Sequence, residues 1–423
     1  MIVVIAFFVL LLIGVPIAFV LGLSTLVGVL VTDNFTILGS MPSRMMNGLQ
    51  NFGLVAIPLF VLLGEVMNHG GITQRLINFA KTIFGHFRGG LAYVNIAANM
   101  FLSSIIGSSA AQTAIMGQVM VPAMEKEGYK RDFSTALTTA SSIVGPLIPP
   151  SVPFIIYGVT AGVSIGGLFL AGIVPGVLFS LAFGIYIYFV ARKENMPKLD
   201  RAPLNQAFKD TLMVLPALFI PVVILVGITS GIFTATESAA FAIFIALIVG
   251  FFLYRDLKIK HLWQIFLNAC VTSSIVTFLL ATANIFGYII AYEKVPERIA
   301  EIFLALADGP LMFLLLSNIL LLVVGLFIDS IVALILLVPI LLPIAITYGV
   351  DPIHFGVIVV LNLTLGLMTP PVGAVLFIAS SITKVKIEQI TAKLIPFIII
   401  SLIILLLITY VPSISLYIPK LFL

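Results

Sequence analysis

The stretch Gly145-Pro146-Leu147-Ile148-Pro149-Pro150-Ser151 returns later in the chain as Gly366-Leu367-Met368-Thr369-Pro370-Pro371-Val372. The two copies are 221 positions apart, since 366 − 145 = 221. A helix cannot continue through either copy, because paired prolines remove backbone donors and clash with the preceding turn. Inside a bilayer such an interruption is tolerated only where protein or a water-filled cavity satisfies the freed backbone groups. Two matching interruptions in the two halves of one chain are typical of the binding site of a secondary transporter.

The same offset relates residues outside these two stretches. At 221 positions the chain pairs Ser109 with Ser330, Pro122 with Pro343, and Gly128 with Gly349. The sequence therefore predicts an internal duplication that extends beyond the proline-containing segments.

Composition places this duplication in a membrane. Hydrophobic residues make up 61% of the 423 residues and charged residues 9%, whereas soluble domains average about 25% charged residues. The mean hydropathy is +1.25. At about 20 apolar residues per crossing, the chain could supply roughly ten to twelve crossings. The longest polar stretch, residues 192–209, is too short for a soluble domain, so any soluble partner is expected to be a separate chain.

The predicted organisation is two repeats joined by a linker, all of it α-helical. The first repeat covers residues 1–191, with scaffold and arm helices at 1–90 (a first span at about 2–31), a hairpin at about 91–124, a broken helix at about 134–161 and a span at 167–191. Residues 192–210 form a cytoplasmic linker. The second repeat covers residues 211–423, with scaffold and arm helices at 211–292, a hairpin at about 311–346, a broken helix at about 355–382 and a last span at 395–411.

Each predicted hairpin is too long for one crossing and has a polar kink at its middle. The kinks are Gly107-Ser108-Ser109 and Asp329-Ser330, which we interpret as the tips of re-entrant hairpins. The loops around the first hairpin are basic, with Arg75, Lys81, Arg88, Lys126, Lys130 and Arg131. Those around the second are mostly acidic, with Lys294 and Arg298 beside Glu293, Glu297, Glu301, Asp308 and Asp351. The positive-inside rule places the first hairpin's mouth in the cytoplasm and the second's outside, so the repeats are predicted to be inverted.

The tips carry the chemistry of a cation site. Half-helix ends expose unpaired backbone groups, and carbonyl and hydroxyl oxygens suit a hard cation such as Na⁺. A structural alternative is that the small residues at the first tip merely allow close helix packing. At the second tip, Asp329 is an ionisable group amid apolar sequence and is a functional candidate. It could bind Na⁺, carry a proton, or cap the half-helix that begins at Ser330.

At these residues the chain resembles the large membrane subunit of tripartite ATP-independent periplasmic (TRAP) transporters, of the DctM or SiaM type, over essentially its full length. The most specific motifs are the first tip, the two proline-containing stretches and Thr236-Glu237-Ser238-Ala239-Ala240. The resemblance implies a Na⁺-driven importer of small organic anions with an elevator-type, ion-transporter-superfamily-like fold. It also implies sodium ligands at Ser103, Ser108, Gly145 and Pro146 in one half and at Gly325, Asp329, Gly366 and Thr369 in the other.

Further expectations concern the solute and the partners. Substrate contacts are expected from Ser104, Ser109, Ser330 and Thr369. Sialic acid is the first candidate solute and a C4-dicarboxylate the second. The resemblance implies a multi-pass protein of the bacterial inner membrane with a periplasmic binding protein. It also implies a four-helix small membrane subunit, expected here as a separate chain because no extra N-terminal four-helix segment is present.

Three other functions fit the sequence less well. The main alternative is a stand-alone Na⁺- or H⁺-coupled organic anion carrier that uses no binding protein. A passive channel fits less well, because paired re-entrant tips favour occlusion over continuous conduction. An intramembrane hydrolase would need a second carboxylate beside Asp329 or a base near Ser108, and the sequence offers neither at membrane depth. The chain is therefore not expected to be an enzyme.

Overall fold

The computed structural model describes residues 2–33 and 35–422, which are helical without any strand in those ranges. Residues 1, 34 and 423, which the predicted repeats and arm segments included, lie outside the described residues. The described part of the first half contains ten α-helices: α1 (Ile2–Leu12), α2 (Ile17–Val31), α3 (Thr36–Asn47), α4 (Ala56–His69), α5 (Ile72–Phe84), α6 (Gly90–Ile106), α7 (Ser109–Lys126), α8 (Arg131–Ser141), α9 (Val152–Ala161) and α10 (Ile165–Lys193).

The second half contributes ten more helices to the described chain: α11 (Leu204–Thr229), α12 (Ala235–Ile248), α13 (Ile259–Tyr292), α14 (Val295–Leu306), α15 (Pro310–Phe327), α16 (Ser330–Thr347), α17 (Pro352–Met368), α18 (Ala374–Thr383), α19 (Ile387–Tyr410) and α20 (Ser413–Phe422). A π-helical turn, Val249–Tyr254, continues α12. Eight helical segments of the described chain are long and apolar enough to cross a membrane. The predicted all-α, multi-span fold class is confirmed.

Both predicted hairpins are pairs of helices joined by short tips. Hairpin 1 is α6 and α7, joined by Gly107 and Ser108, and hairpin 2 is α15 and α16, joined by Ile328 and Asp329. The predicted first span at about 2–31 is two helices, because the chain turns at Gly14, which has a φ of +86°, and restarts after Pro16.

The proline-containing stretches interrupt two helices, as the sequence predicts. In the first half, α8 runs into a short 3₁₀ turn at Ser142–Val144, and α9 begins only at Val152. In the second half, α17 ends at Met368 and α18 begins at Ala374. Both Pro-Pro peptide bonds are cis.

The two repeats are interleaved rather than side by side. The second arm of hairpin 1, α7, packs on α18, while the second arm of hairpin 2, α16, packs on α9. The Tyr157 hydroxyl in α9 also donates a 2.6 Å hydrogen bond to the carbonyl of Pro352 at the start of α17. The hairpins and broken helices thus form one packed unit, which we call the hairpin domain. Against it lie α4 and α13, which pack on each other and on α12 and α2 respectively.

Candidate functional site

A cavity of about 250 Å³ lies where the two hairpin tips meet α4 and α13, and we call it the hairpin cavity. The tips contribute Gly107, Ser108, Ser109, Asp329, Ser330 and Ile331. The first broken helix contributes Pro146, Val152 and Pro153, and the second contributes Leu367. The opposite wall is formed by Phe60, Gly64, Glu65 and Asn68 of α4 and by Thr272 and Val276 of α13. Residues that are far apart in the sequence therefore share one space between the hairpin domain and its neighbouring helices.

The first tip is shaped by Gly107, which ends α6. Its φ of +59° lies in the left-handed region, which glycine adopts without the steric cost of a Cβ. A Cβ there would also lie 3.2 Å from the carbonyl oxygen of Pro150, so the tip rests directly on the first helix break. Next, the extended Ser108 precedes α7 without capping it through its side chain. The Ser109 hydroxyl is buried and has no hydrogen-bond partner, which leaves it available to a ligand.

The second tip is closed by Asp329 in a different way. One carboxylate oxygen of Asp329 accepts a 2.9 Å hydrogen bond from the backbone N–H of Ile331, so the side chain caps α16. The residue is nevertheless exposed and lines the hairpin cavity. Of the three roles predicted for Asp329, the capping role is confirmed. Binding of Na⁺ or of a proton stays a prediction.

The four sodium candidates of the first half lie at two depths. Ser108 and Pro146 line the hairpin cavity. Ser103 is fully buried behind the tip, where its hydroxyl donates a 2.7 Å hydrogen bond to the carbonyl of Asn99. Gly145 is also buried, and a side chain there would collide with the Oε1 atom of Gln112.

In the second half, the structure brings hairpin 2 and the broken helix into direct backbone contact. A Cβ on Gly366 would lie 2.5 Å from the carbonyl carbon of Gly325. Thr369 follows the end of α17, and its hydroxyl donates a 2.7 Å hydrogen bond to the carbonyl of Leu365. Of the four candidates in this half, Asp329 lines the hairpin cavity, while Gly325, Gly366 and Thr369 lie outside its lining.

Of the four substrate candidates, two line the hairpin cavity and two do not. Ser109 and Ser330 line the hairpin cavity from opposite tips. Ser104 is buried in α6, where its hydroxyl donates a 2.7 Å hydrogen bond to the carbonyl of Phe101. Neither Ser104 nor Thr369 belongs to the cavity wall.

Sequence reasoning assigned no role to Gln112, although its side chain is fully buried in α7. Its amide nitrogen donates a 2.9 Å hydrogen bond to Oδ1 of Asn99, and its Oε1 atom has no partner. An unpaired buried carbonyl oxygen beside Gly145 is an oxygen donor of the type a hard cation requires. The signal that could have found it is the position of Gln112 three residues after Ser109, on the same helical face.

Sequence reasoning also did not identify α4 and α13 as the opposite wall of the hairpin cavity. Glu65 in α4 accepts a 3.2 Å hydrogen bond from the side-chain amide of Asn268 in α13, which ties the two wall helices together. No spacing in the sequence pairs these residues, because they are 203 positions apart. Among the described residues there is no cluster of three or more His, Cys, Asp or Glu side chains that could hold a metal. The oxygen donors that line the hairpin cavity are hydroxyl, amide and carbonyl groups with the carboxylates of Asp329 and Glu65, and this set fits Na⁺.

Comparison with known proteins adds to this geometry. The family model of the "Tripartite ATP-independent periplasmic transporter, DctM component" matches residues 4–414. The chain is 40% identical to the sialic acid TRAP transporter large permease protein SiaM of Vibrio cholerae, over 97% of this chain and 96% of that protein. It is also 40% identical to the isethionate TRAP transporter permease protein DctMQ of Oleidesulfovibrio alaskensis, over 96% of this chain and 64% of that protein. A third relative, the C4-dicarboxylate TRAP transporter large permease protein DctM of Pseudomonas aeruginosa, is 36% identical over 88% of this chain and 87% of its own length.

The fold has a distant counterpart among solved structures. The crystal structure of the Alcanivorax borkumensis YdaH transporter superposes with a TM-score of 0.59 over 90% of this chain and 88% of the other, at 14% sequence identity. That likeness concerns the fold alone. The family match over nearly the whole length, together with the relatives, shows that the chain belongs to the DctM component family of tripartite ATP-independent periplasmic transporters.

Proposed function

We propose that this permease imports a small organic anion across the bacterial inner membrane, driven by Na⁺ and supplied by a periplasmic binding protein. The observation that carries the proposal is the hairpin cavity, where both tips face a wall made by other helices. A transporter of this kind moves its solute and makes or breaks no covalent bond, so the proposal excludes an enzymatic function.

The electrostatics of the cavity suit an anion accompanied by cations. The first turns of α7 and α16 both reach it, through Ser109, Ala110 and Ala111 and through Ser330 and Ile331. Helix N-termini present unpaired N–H groups and a partial positive charge, which favour a carboxylate or sulfonate. The carboxylates of Asp329 and Glu65 oppose such an anion, and Na⁺ bound at the tips offsets their charge. Solute binding therefore depends on the ions.

We propose an elevator movement for the transport step. The interleaved packing of α7 on α18 and of α16 on α9 favours motion of the hairpin domain as one body. The static side would include α4 and α13, which form the opposite cavity wall. A site that holds the ions without the solute, or the solute without the ions, carries uncompensated charge that is costly to move past apolar helices. Inward sliding is therefore favourable with both ion and solute bound, and the empty hairpin domain returns to complete the cycle.

The solute class follows from the relatives and the cavity together. The relatives are named for sialic acid, isethionate and C4-dicarboxylates, which share an anionic carboxylate or sulfonate group. Sialic acid is the first candidate and a C4-dicarboxylate the second. The DctM family favours a three-part system with a small membrane subunit and a binding protein over the stand-alone carrier.

The test is uptake by proteoliposomes that contain this chain and its small membrane subunit. Labelled N-acetylneuraminate and labelled succinate serve as probes, each presented with and without the cognate binding protein. An inward Na⁺ gradient should drive accumulation of one probe, whereas an equal K⁺ gradient should not. Uptake that is unchanged in K⁺ would refute the coupling. Uptake that is independent of the binding protein would favour the stand-alone carrier instead.

A further inference from the structure

A second cavity, of about 580 Å³, lies beyond hairpin 2, and we call it the arm cavity. Its walls come from the arm helix α3, from α9, from the C-terminal part of α13 and from α16. Like the hairpin cavity, the arm cavity therefore lies between the hairpin domain and the helices that pack against it. Its volume is within the range of sites for small ligands, about 300–1,000 Å³.

The two cavities occupy different levels along the same two helices. On α13, the hairpin cavity contacts Thr272 and Val276, while the arm cavity begins at Leu280. On α16, the hairpin cavity ends at Ile331 and the arm cavity begins at Ile335. Because α13 and α16 pack on each other, about one helical turn of each forms the partition between the cavities.

The arm cavity lies toward the side of the membrane that the loop charges place outside. It includes Asn284 and Tyr288, near the end of α13 that leads into the acidic loop, while Lys258 and Lys260 mark the opposite end. Thr272 and Asn284 are 12 positions apart (284 − 272 = 12), which corresponds to about 18 Å along a helix. A solute arriving from outside would therefore meet the arm cavity before it reached the tips.

A single basic side chain, Arg44 of α3, distinguishes this cavity. Its guanidinium carbon lies 3.4 Å from the centroid of the Tyr288 ring, and its Nε donates a 3.1 Å hydrogen bond to the Ser40 hydroxyl. These contacts orient the guanidinium group but leave its two terminal nitrogens without a hydrogen-bond partner among the described residues. No Asp or Glu of the described chain lines the cavity. Arg44 is thus a half-buried, oriented cation with no neutralising partner in the cavity wall.

The remaining polar side chains of the wall are uncharged amides and hydroxyls, which can donate hydrogen bonds. The side chains of Asn47, Asn51 and Asn284 line the cavity beside Arg44. The Oδ1 atom of Asn51 already accepts from the backbone N–H of Gly53 at 2.9 Å, so its amide N–H groups are the part left for a ligand. Arginine with two free terminal nitrogens can bind a carboxylate or sulfonate through two parallel hydrogen bonds. Neighbouring amides add donors for the rest of a polar solute.

We propose that the arm cavity is a receiving site in which Arg44 binds the acidic group of the transported anion before the solute reaches the hairpin tips. The proposal builds on the import of an organic anion, but it concerns a separate site on the other side of the α13–α16 partition. Lysine would supply the charge at this position without the planar pair of donors.

The test measures charge at the cavity without requiring transport. In a Cys270→Ser background, Thr160→Cys places one thiol on the cavity wall contributed by α9. Right-side-out vesicles receive either negatively charged sulfonatoethyl methanethiosulfonate or positively charged trimethylammonioethyl methanethiosulfonate from outside. A unit charge that lines the same cavity should change the ratio of the two labelling rates by about tenfold. We expect Arg44→Gln to abolish the preference for the anionic reagent. Arg298→Gln, a charge loss in the neighbouring α14, should retain it.

Protection by solute identifies what the site binds. N-acetylneuraminate or succinate, added without Na⁺, should slow labelling of the thiol, and Arg44→Lys should weaken this protection while retaining the reagent preference. Equal rate ratios with and without Arg44 would overturn the proposal. So would protection by anionic lipid in the vesicles rather than by either solute. Thermal unfolding of each variant identifies any that fail to fold. Because labelling needs no Na⁺ gradient, loss of the receiving site can be distinguished from failure of Na⁺-driven import.

Discussion

Gly325 of hairpin 2 and Gly366 of the second broken helix meet backbone to backbone. A Cβ on Gly366 would lie 2.5 Å from the carbonyl carbon of Gly325, and one on Gly325 would lie 3.0 Å from the carbonyl oxygen of Leu363. Contact this close brings the backbones of α15 and α17 together with no side chain between them. It is the arrangement in which carbonyl groups of both elements could share one cation.

Replacement of Gly366 by alanine should therefore force α15 away from α17. We expect a loss of stability of about 1–3 kcal/mol from overpacking, together with a strong reduction in Na⁺-driven uptake. Thermal unfolding in detergent and proteoliposome uptake measure the two effects. Gly22→Ala in α2 is the matched control, because a Cβ there would meet no atom within 4 Å. Wild-type uptake by Gly366→Ala would contradict a cation site at this contact.

Two substitutions at Asp329 distinguish its role as a helix cap from the role of its negative charge in ion binding. Asn caps a helix about as well as Asp, whereas Ala costs about 1 kcal/mol at an N-cap. Asp329→Asn should keep the unfolding temperature while lowering uptake, if the charge is needed for ion binding. Asp329→Ala should lower both. Normal uptake by Asp329→Asn would show that Asp329 contributes only the helix cap of α16.

Ser103 and Ser104 are adjacent, and both donate their hydroxyl to a helix carbonyl. If the Ser103 hydroxyl oxygen binds Na⁺, Ser103→Ala should raise the Na⁺ concentration for half-maximal uptake by about tenfold, which corresponds to about 1.4 kcal/mol. Ser104→Ala should instead raise KM for the solute at saturating Na⁺. Each variant is the control for the other. Identical kinetic effects of the two changes would indicate a shared packing role.

The Tyr157 hydroxyl joins the two repeats through the carbonyl of Pro352. Removing it in Tyr157→Phe should cost about 0.5–1.5 kcal/mol, the net contribution of one hydrogen bond. The change should appear as a lower unfolding temperature with little effect on the Na⁺ dependence of uptake. Tyr417→Phe is a suitable control, because Tyr417 is 62% exposed. No difference between the two variants would show that the repeats do not depend on this bond.

The interruptions of the fold were predictable from sequence because they depend on local chemistry. The pairs Pro149-Pro150 and Pro370-Pro371 each remove two consecutive backbone donors and interrupt the helix, whereas a single proline such as Pro175 is tolerated inside α10. The polar residues at the two tips stand out against long apolar runs. The hairpin limits follow from the same contrast, with α6 and α7 together covering residues 90–126 where about 91–124 was predicted.

The partners across the cavities could not be predicted in this way. Glu65 and Asn268 are 203 positions apart, and Arg44 meets Tyr288 through a stacking contact that leaves no periodic pattern. Such pairs depend on how the helices pack in three dimensions. For that reason Ser109 and Ser330 were predictable as tip residues, while the wall that they face was not.

The interleaving of the hairpins has a consequence for the origin of the fold. Since α7 packs on α18 and α16 packs on α9, each half of the polypeptide lacks partners that only the other half provides. A protein made of one such half would have to associate with an upside-down copy of itself to satisfy those surfaces. The ancestor before duplication is thus expected to have been an obligate antiparallel homodimer. Two fragments of the present chain, separated within residues 192–210, should regain function only when they are synthesised together.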